Sequence, residues 1–73
     1  MSFAKGDIVQ LKAGGPKMTV KGIVGDSVQS LSSMEEKAYK IHGIEEGTVI
    51  CEWFLNNELN SGQFQPEMIM KVE

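Results

Sequence analysis

The order of apolar and polar residues along the chain predicts short strands at both ends and a helix in the middle. "GDIVQLK" (6–12) alternates, with Val9 and Leu11 on one face and Gln10 and Lys12 on the other, the period of a half-buried strand. "KMTVKGIV" (17–24) repeats the alternation, with Met18 and Val20 inward and Lys17, Thr19 and Lys21 outward. Between them, Ala13-Gly14-Gly15-Pro16 reads as a hairpin tip. Glycine supplies the positive φ of a tight reversal, and proline, which cannot donate to a ladder, suits a strand's first position. A phosphate cradle would need a lysine at fixed spacing and a helix directly after the loop, whereas here a strand follows.

The chain changes character over residues 24–46. "GDSVQSLSS" is polar and loop-like, and "SSMEEKAYKIHG" has the pattern of a short helix. Ser33 and Glu36 have the spacing of a capping box, Met34, Ala38 and Ile41 form one apolar stripe, and Gly43 is a C-terminal stop. So short a helix is marginal alone in water, so the stripe is expected to pack on the sheet, near Trp53 or Phe54. "GTVICEWFL" (47–55) is the strongest strand and is apolar on both faces, as in a strand covered on both sides. Trp53 and Phe54 are adjacent, so one points to the core and the other to the opposite face, either under the helix or exposed as a ligand platform. Asn56-Asn57 predicts a hairpin turn into "ELNSGQF" (58–64), with Gly62 a candidate bulge; "QPEMIMKVE" (65–73) gives a turn at Pro66 and a last strand. Closure removes exposed edges. The expected fold is therefore mainly β: a small SH3-like five-stranded barrel with one short α-helix inserted between strands 2 and 3. It is a single domain over residues 1–73, with 24–46 as the helical insertion.

Three pieces, "GDIVQLKAGGPKMTV", "VICEWF" and "FQPEMIMKVE", resemble the YodC-like family of small bacterial proteins, a domain of unknown function. Its members run G-D-x-V-x-L-x-x-G-G-P-x-M-T-V, then V-x-C-x-W-F, and end in a Pro-Glu-containing strand. The resemblance covers residues 3–23 and 47–73 and departs over 24–46, where the family has a shorter connection. It implies a small β-barrel-like fold and carries no established activity, substrate or catalytic residue.

Charge narrows the choice of partner. The net charge is −3, but residues 1–23 carry Lys5, Lys12, Lys17 and Lys21 against Asp7, while the remainder is acidic. There is no arginine, the residue that reads guanine and clamps phosphate bidentately, which weakens a nucleic-acid reading. A single cysteine, Cys51, forms no internal disulfide and fits a reducing compartment, and the N-terminus lacks a secretory apolar region, so a cytoplasmic location is expected.

Catalytic chemistry is sparsely provided for. His42 is the lone histidine and falls at the helix end, Cys51 lies mid-strand with no cation beside it, and one Cys with one His cannot make a four-ligand zinc site. Glu35-Glu36 and Glu45-Glu46 read as solvated carboxylates at a helix start and in a loop. No catalytic residue, metal ligand or cofactor is assigned. The leading expectation is a non-enzymatic binding or adaptor module acting through a protein partner, with Lys12, Pro16, Lys17, Lys21, Trp53 and Phe54 as partner-binding candidates. The alternative is a nucleic-acid or ribosome-associated KOW-like module using the lysines of residues 1–21. No membrane partner is expected. The expected state is a monomer, with a dimer as the alternative.

Overall fold

The computed structural model describes residues 3–72. Five strands form one antiparallel sheet: β1 (Ile8–Leu11), β2 (Met18–Ile23), β3 (Val49–Leu55), β4 (Glu58–Phe64) and β5 (Ile69–Lys71). Helix α1 (Ser33–Ile41) lies between β2 and β3, and a 3₁₀ turn over Pro66–Met68 leads into β5. The lateral order is β4-β3-β2-β1-β5, so sequential strands are neighbours and the last returns beside the first. The expected closure into a barrel is not found. β5 has three residues, all paired to β1, and no ladder joins it to β4, so both remain edges.

The two predicted turns form for the reasons expected. Gly14 and Gly15 have φ of 110° and 117°, conformations closed to side chains with a Cβ. Asn56 and Asn57 have φ of 54° and 64°, the paired left-handed residues of a two-residue hairpin. The inner face of the sheet buries Val9, Met18, Val20, Val49, Cys51 and Ile69 with Phe3 and Ile23, and Leu11, Trp53 and Phe64 pack against them half-buried.

Gly62 is not a bulge. β3 and β4 pair without interruption from Val49↔Phe64 to Leu55↔Glu58, and Gly62 sits opposite Cys51. Glycine is used there because a Cβ would stand 3.2 Å from the Phe64 ring and 3.3 Å from Trp53 Cη2. Those two rings meet at 6.2 Å and 57°, a tilted pair. The irregularity lies in β2 instead, where the register to β3 shifts between Val20 and Gly22. Past that shift, Ile23 joins the inner core and Val24 the outer one.

The outer core is small and holds the insertion to the sheet. Val49, Ile50 and Cys51 are fully buried, so β3 is covered on both faces at its start. Ile50 packs with Val24 and Leu31, and Tyr39 and Ile44 close over them. Leu31 reaches this place because Gly22 has no side chain: a Cβ there would lie 2.8 Å from Leu31 Cδ2. The loop is fixed by Ile23 N–H donating to the Gln29 carbonyl at 2.8 Å and by Asp26 Oδ1 accepting from Val28 and Gln29 N–H at 2.8 and 2.7 Å.

The cap of α1 is one residue earlier than the spacing predicts. Ser32, not Ser33, is the N-cap; its Oγ accepts from Glu35 N–H at 3.4 Å and its hydroxyl donates to Glu35 Oε1 at 3.0 Å. The other end closes as expected at Gly43 (φ 76°), with Gly43 N–H bonded to the Lys40 carbonyl and Ile44 N–H to the Tyr39 carbonyl, both at 3.0 Å. This motif brings Ile44 beside Tyr39 in the outer core. The apolar stripe therefore points the wrong way for the expected packing. Met34 is 83% and Ile41 80% exposed, and α1 buries no residue.

Three substitutions test this architecture. Valine at Gly14 or Gly15 should cost about 1 kcal/mol or more through backbone strain. Valine at Gly22 should cost about 1–3 kcal/mol by displacing Leu31 from Ile50. Urea melts matching the parent for all three variants would contradict both the hairpin and the Leu31 seat.

Candidate interaction surface

The six residues expected to meet a partner fall into three separate places. Lys12, Pro16 and Lys17 are exposed on the β1–β2 loop. Lys12 N–H donates to the Met68 carbonyl at 3.0 Å, which ties that loop to the 3₁₀ turn. Lys12 also lines a groove with Phe3, Pro66, Glu67 and Met70. Lys21 is drawn away from the loop onto the outer face, where it pairs with Glu35 and lies 3.6 Å from Glu52. Trp53 belongs to the inner face against Phe64, while Phe54 is 71% exposed. Neither aromatic is covered by α1 as expected, because Tyr39 carries the helix onto the Ile50 end of β3. Phe54 instead faces Leu59 across the β3–β4 ladder, with Leu59 57% and Leu55 55% exposed.

Polar contacts hold the inward side of α1. The Glu36 carboxylate accepts from Gly25 N–H through both oxygens at 3.1 Å, and Lys40 Nζ lies 3.5 Å from Glu36 and 3.8 Å from Glu46. Glu35, Glu36 and Tyr39 thus share the face that meets the sheet, and Met34, Ala38 and Ile41 are left on the side open to solvent. A shallow depression bordering that open side is lined by Ser33, Met34, Lys37 and Ile41 together with Glu36 and Lys40. Composition within the helix favours burying the stripe. The deciding residues lie outside it, in Leu31, Ile44 and Gly22, and no helical period contains them.

Electrostatics follow these contacts. The Lys21 ammonium, hydrogen-bonded to Glu35, holds that carboxyl below its ordinary pKa, and Glu35 in turn raises the Lys21 pKa. Asp7 is lowered by the Ala4 N–H (2.9 Å) and then by Lys71 at 3.4 Å. Asp26 is lowered by the N–H groups of Gln29 and Val28. Cys51 is buried, and desolvation pushes its thiol up to about 11, so it is not a thiolate near neutrality. His42 caps the C-terminal end of α1 in an exposed position. The carboxylates of Glu35 and Glu36 do not converge on a shared point: one is taken by Lys21 and the other by the Gly25 amide. Among the described residues, no helix is long and apolar enough to cross a membrane.

These features define a small, mainly β domain of one antiparallel sheet whose inserted helix turns its apolar side outward. The chain belongs to the DUF2158 family of uncharacterized small proteins, which it matches over residues 4–69. That range runs through the insertion as well as the strands. No curated protein and no solved structure matches the chain.

The pH dependence of stability has a sign fixed by these pairs. Glu35, Asp7 and Asp26 have folded pKa values below their unfolded ones. Their contribution is full above the ordinary carboxylate range, near pH 4, and is lost as pH falls through the folded values. Lys21 has a raised folded pKa, so its contribution is full below its ordinary value and is lost as pH rises through the raised one. Lys21→Met keeps the aliphatic stem and removes the charge. Urea melts should show a shallower acid limb in that variant than in the parent, and equal limbs would assign the acid dependence to other groups.

Proposed function

We propose that this protein is a non-enzymatic binding or adaptor module that acts through a protein partner. One observation carries the reading: α1 is anchored by its polar side and Tyr39 and presents Met34, Ala38 and Ile41 to solvent. Nothing in the stability of the chain calls for large apolar residues at Met34 and Ile41, whereas burial against another surface accounts for both. Lys37 stands beside them exposed, with no carboxylate within ion-pair distance among the described residues. The fitting partner surface is thus apolar with an acidic residue at its rim. Lys12, Pro16 and Lys17 on the β1–β2 loop offer a second contact region, and Phe54 on the β3–β4 hairpin a third.

The narrower readings have their own supports. The return of β5 to β1 after a 3₁₀ turn supports an SH3-like arrangement of the sheet. The sequences "GGPKMTV" and "CEWF" support a YodC-like member of the family, with the bacterial, cytoplasmic setting that this implies. The KOW-like nucleic-acid reading has less behind it, since Glu35 and Glu52 neutralise Lys21 and shrink the basic edge.

Ile41→Asp separates binding from folding. At an exposed position the substitution should change stability by no more than about 0.5 kcal/mol. The immobilised parent should retain a protein from lysate in nuclease-treated and untreated arms alike, and the variant should lose it. Retention abolished by nuclease, or a sub-micromolar and salt-sensitive complex with RNA or DNA in filter binding, would move the assignment to the nucleic-acid class.

A further inference from the structure

The two edges of the sheet are built differently. β5 is three residues long and carries Lys71 held at Asp7. Short length and lysine are features that keep an edge from pairing with another chain. β4 lacks them. Its seven residues run in unbroken register along β3, without proline or bulge, and Glu58 beside the turn is its one charged side chain.

The groups left open on β4 can be assigned. A two-residue turn closes on a hydrogen-bonded pair, here Leu55 and Glu58, and antiparallel ladders alternate from there. The N–H and C=O of Glu58, Asn60, Gly62 and Phe64 therefore point to β3. Those of Leu59, Ser61 and Gln63 point to the open edge. The side chains of the same three residues lie on the outer face, where Leu59 meets the exposed Phe54.

We propose that β4 pairs antiparallel with β4 of a second copy of this chain, about a two-fold axis at Ser61, giving one continuous sheet across two chains. This register engages every outward-facing backbone group: Ser61 lies opposite Ser61 of the partner subunit, and Leu59 opposite Gln63 of the partner subunit. On the inner face Asn60 falls opposite Gly62 of the partner subunit, and Glu58 opposite Phe64 of the partner subunit. No like charges meet anywhere along the pair. A second copy fits better than a foreign strand because the centre of β4 is neutral and polar, with no charge code or pocket to select another sequence. Two-fold pairing asks only that the strand be compatible with itself. A chain of 73 residues also gains from extending the surface it buries. The surface is distinct from the α1 face, so either assignment can fail without the other.

Sedimentation equilibrium of the full chain, from low micromolar to near-millimolar concentration, reads the pairing directly. The parent should approach the mass of two chains. Ser61→Lys should fall to one chain with an unchanged circular dichroism spectrum, since that side chain and its N–H face outward. Ser61→Cys places two thiols across the axis on Cα atoms about 5.5 Å apart, within disulfide range. Mild oxidation should link that variant into a dimer and leave Ser27→Cys, in an exposed loop, unlinked; the native Cys51 is buried and does not compete. A parent at one chain throughout would overturn the proposal. So would equal linking of the two cysteine variants, or a dimer that survives Ser61→Lys and dissociates on Ile41→Asp.

Discussion

The burial of Ile50 on the outer face of β3 is the contact on which the insertion depends. A sheet this small makes its main core on one face, and the residues between β2 and β3 need a reason to fold back over the other. Ile50 supplies it, fully buried under Val24 and Leu31, with Tyr39 and Ile44 closing the top. Burying a side chain of this kind is worth about 1.5–3 kcal/mol, more than the exposed ion pairs of Lys21 and Lys40 supply. The geometry is permitted by the missing side chain at Gly22, which lets Leu31 lie against the strand.

That contact also sets the orientation of α1. Once Tyr39 and Ile44 are committed to Ile50, Glu35 and Glu36 face the sheet and find Lys21 and the Gly25 amide. The Ser32 cap and the Gly43 stop fix the length of the helix, and the outer core fixes its rotation. The opposite side is left apolar and exposed. The exposure of Met34 and Ile41 is thus a by-product of how the insertion is anchored, and neither side chain takes part in the packing of the fold.

Much of this was legible from residue order, and the limits of legibility are physical. Gly14-Gly15 and Asn56-Asn57 declare their turns because only a few residues tolerate positive φ. The alternation of Val9 with Leu11 and of Met18 with Val20 assigns their strand faces, and Lys12 and Lys17, read as outward, are exposed. What local pattern does not contain is the long-range choice. Lys21 looks like a surface lysine until Glu35 is folded onto it, and Gly62 looks like a bulge until Trp53 and Phe64 claim the space above it. The Met34, Ala38 and Ile41 stripe looks like a buried face because the competing residues, Leu31 and Ile44, lie beyond the helix ends. The two hairpins were readable, but closure was not, since it turns on how few residues β5 keeps after the 3₁₀ turn.

The rotation of α1 is the central claim, and methyl resonances report it without mutation. A soluble paramagnetic agent added to methyl-labelled protein should strongly broaden the Met34 and Ile41 methyl signals and spare those of Leu31 and Ile50. Protection of Met34 and Ile41 in the isolated chain, with Leu31 or Ile50 broadened in their place, would contradict the account.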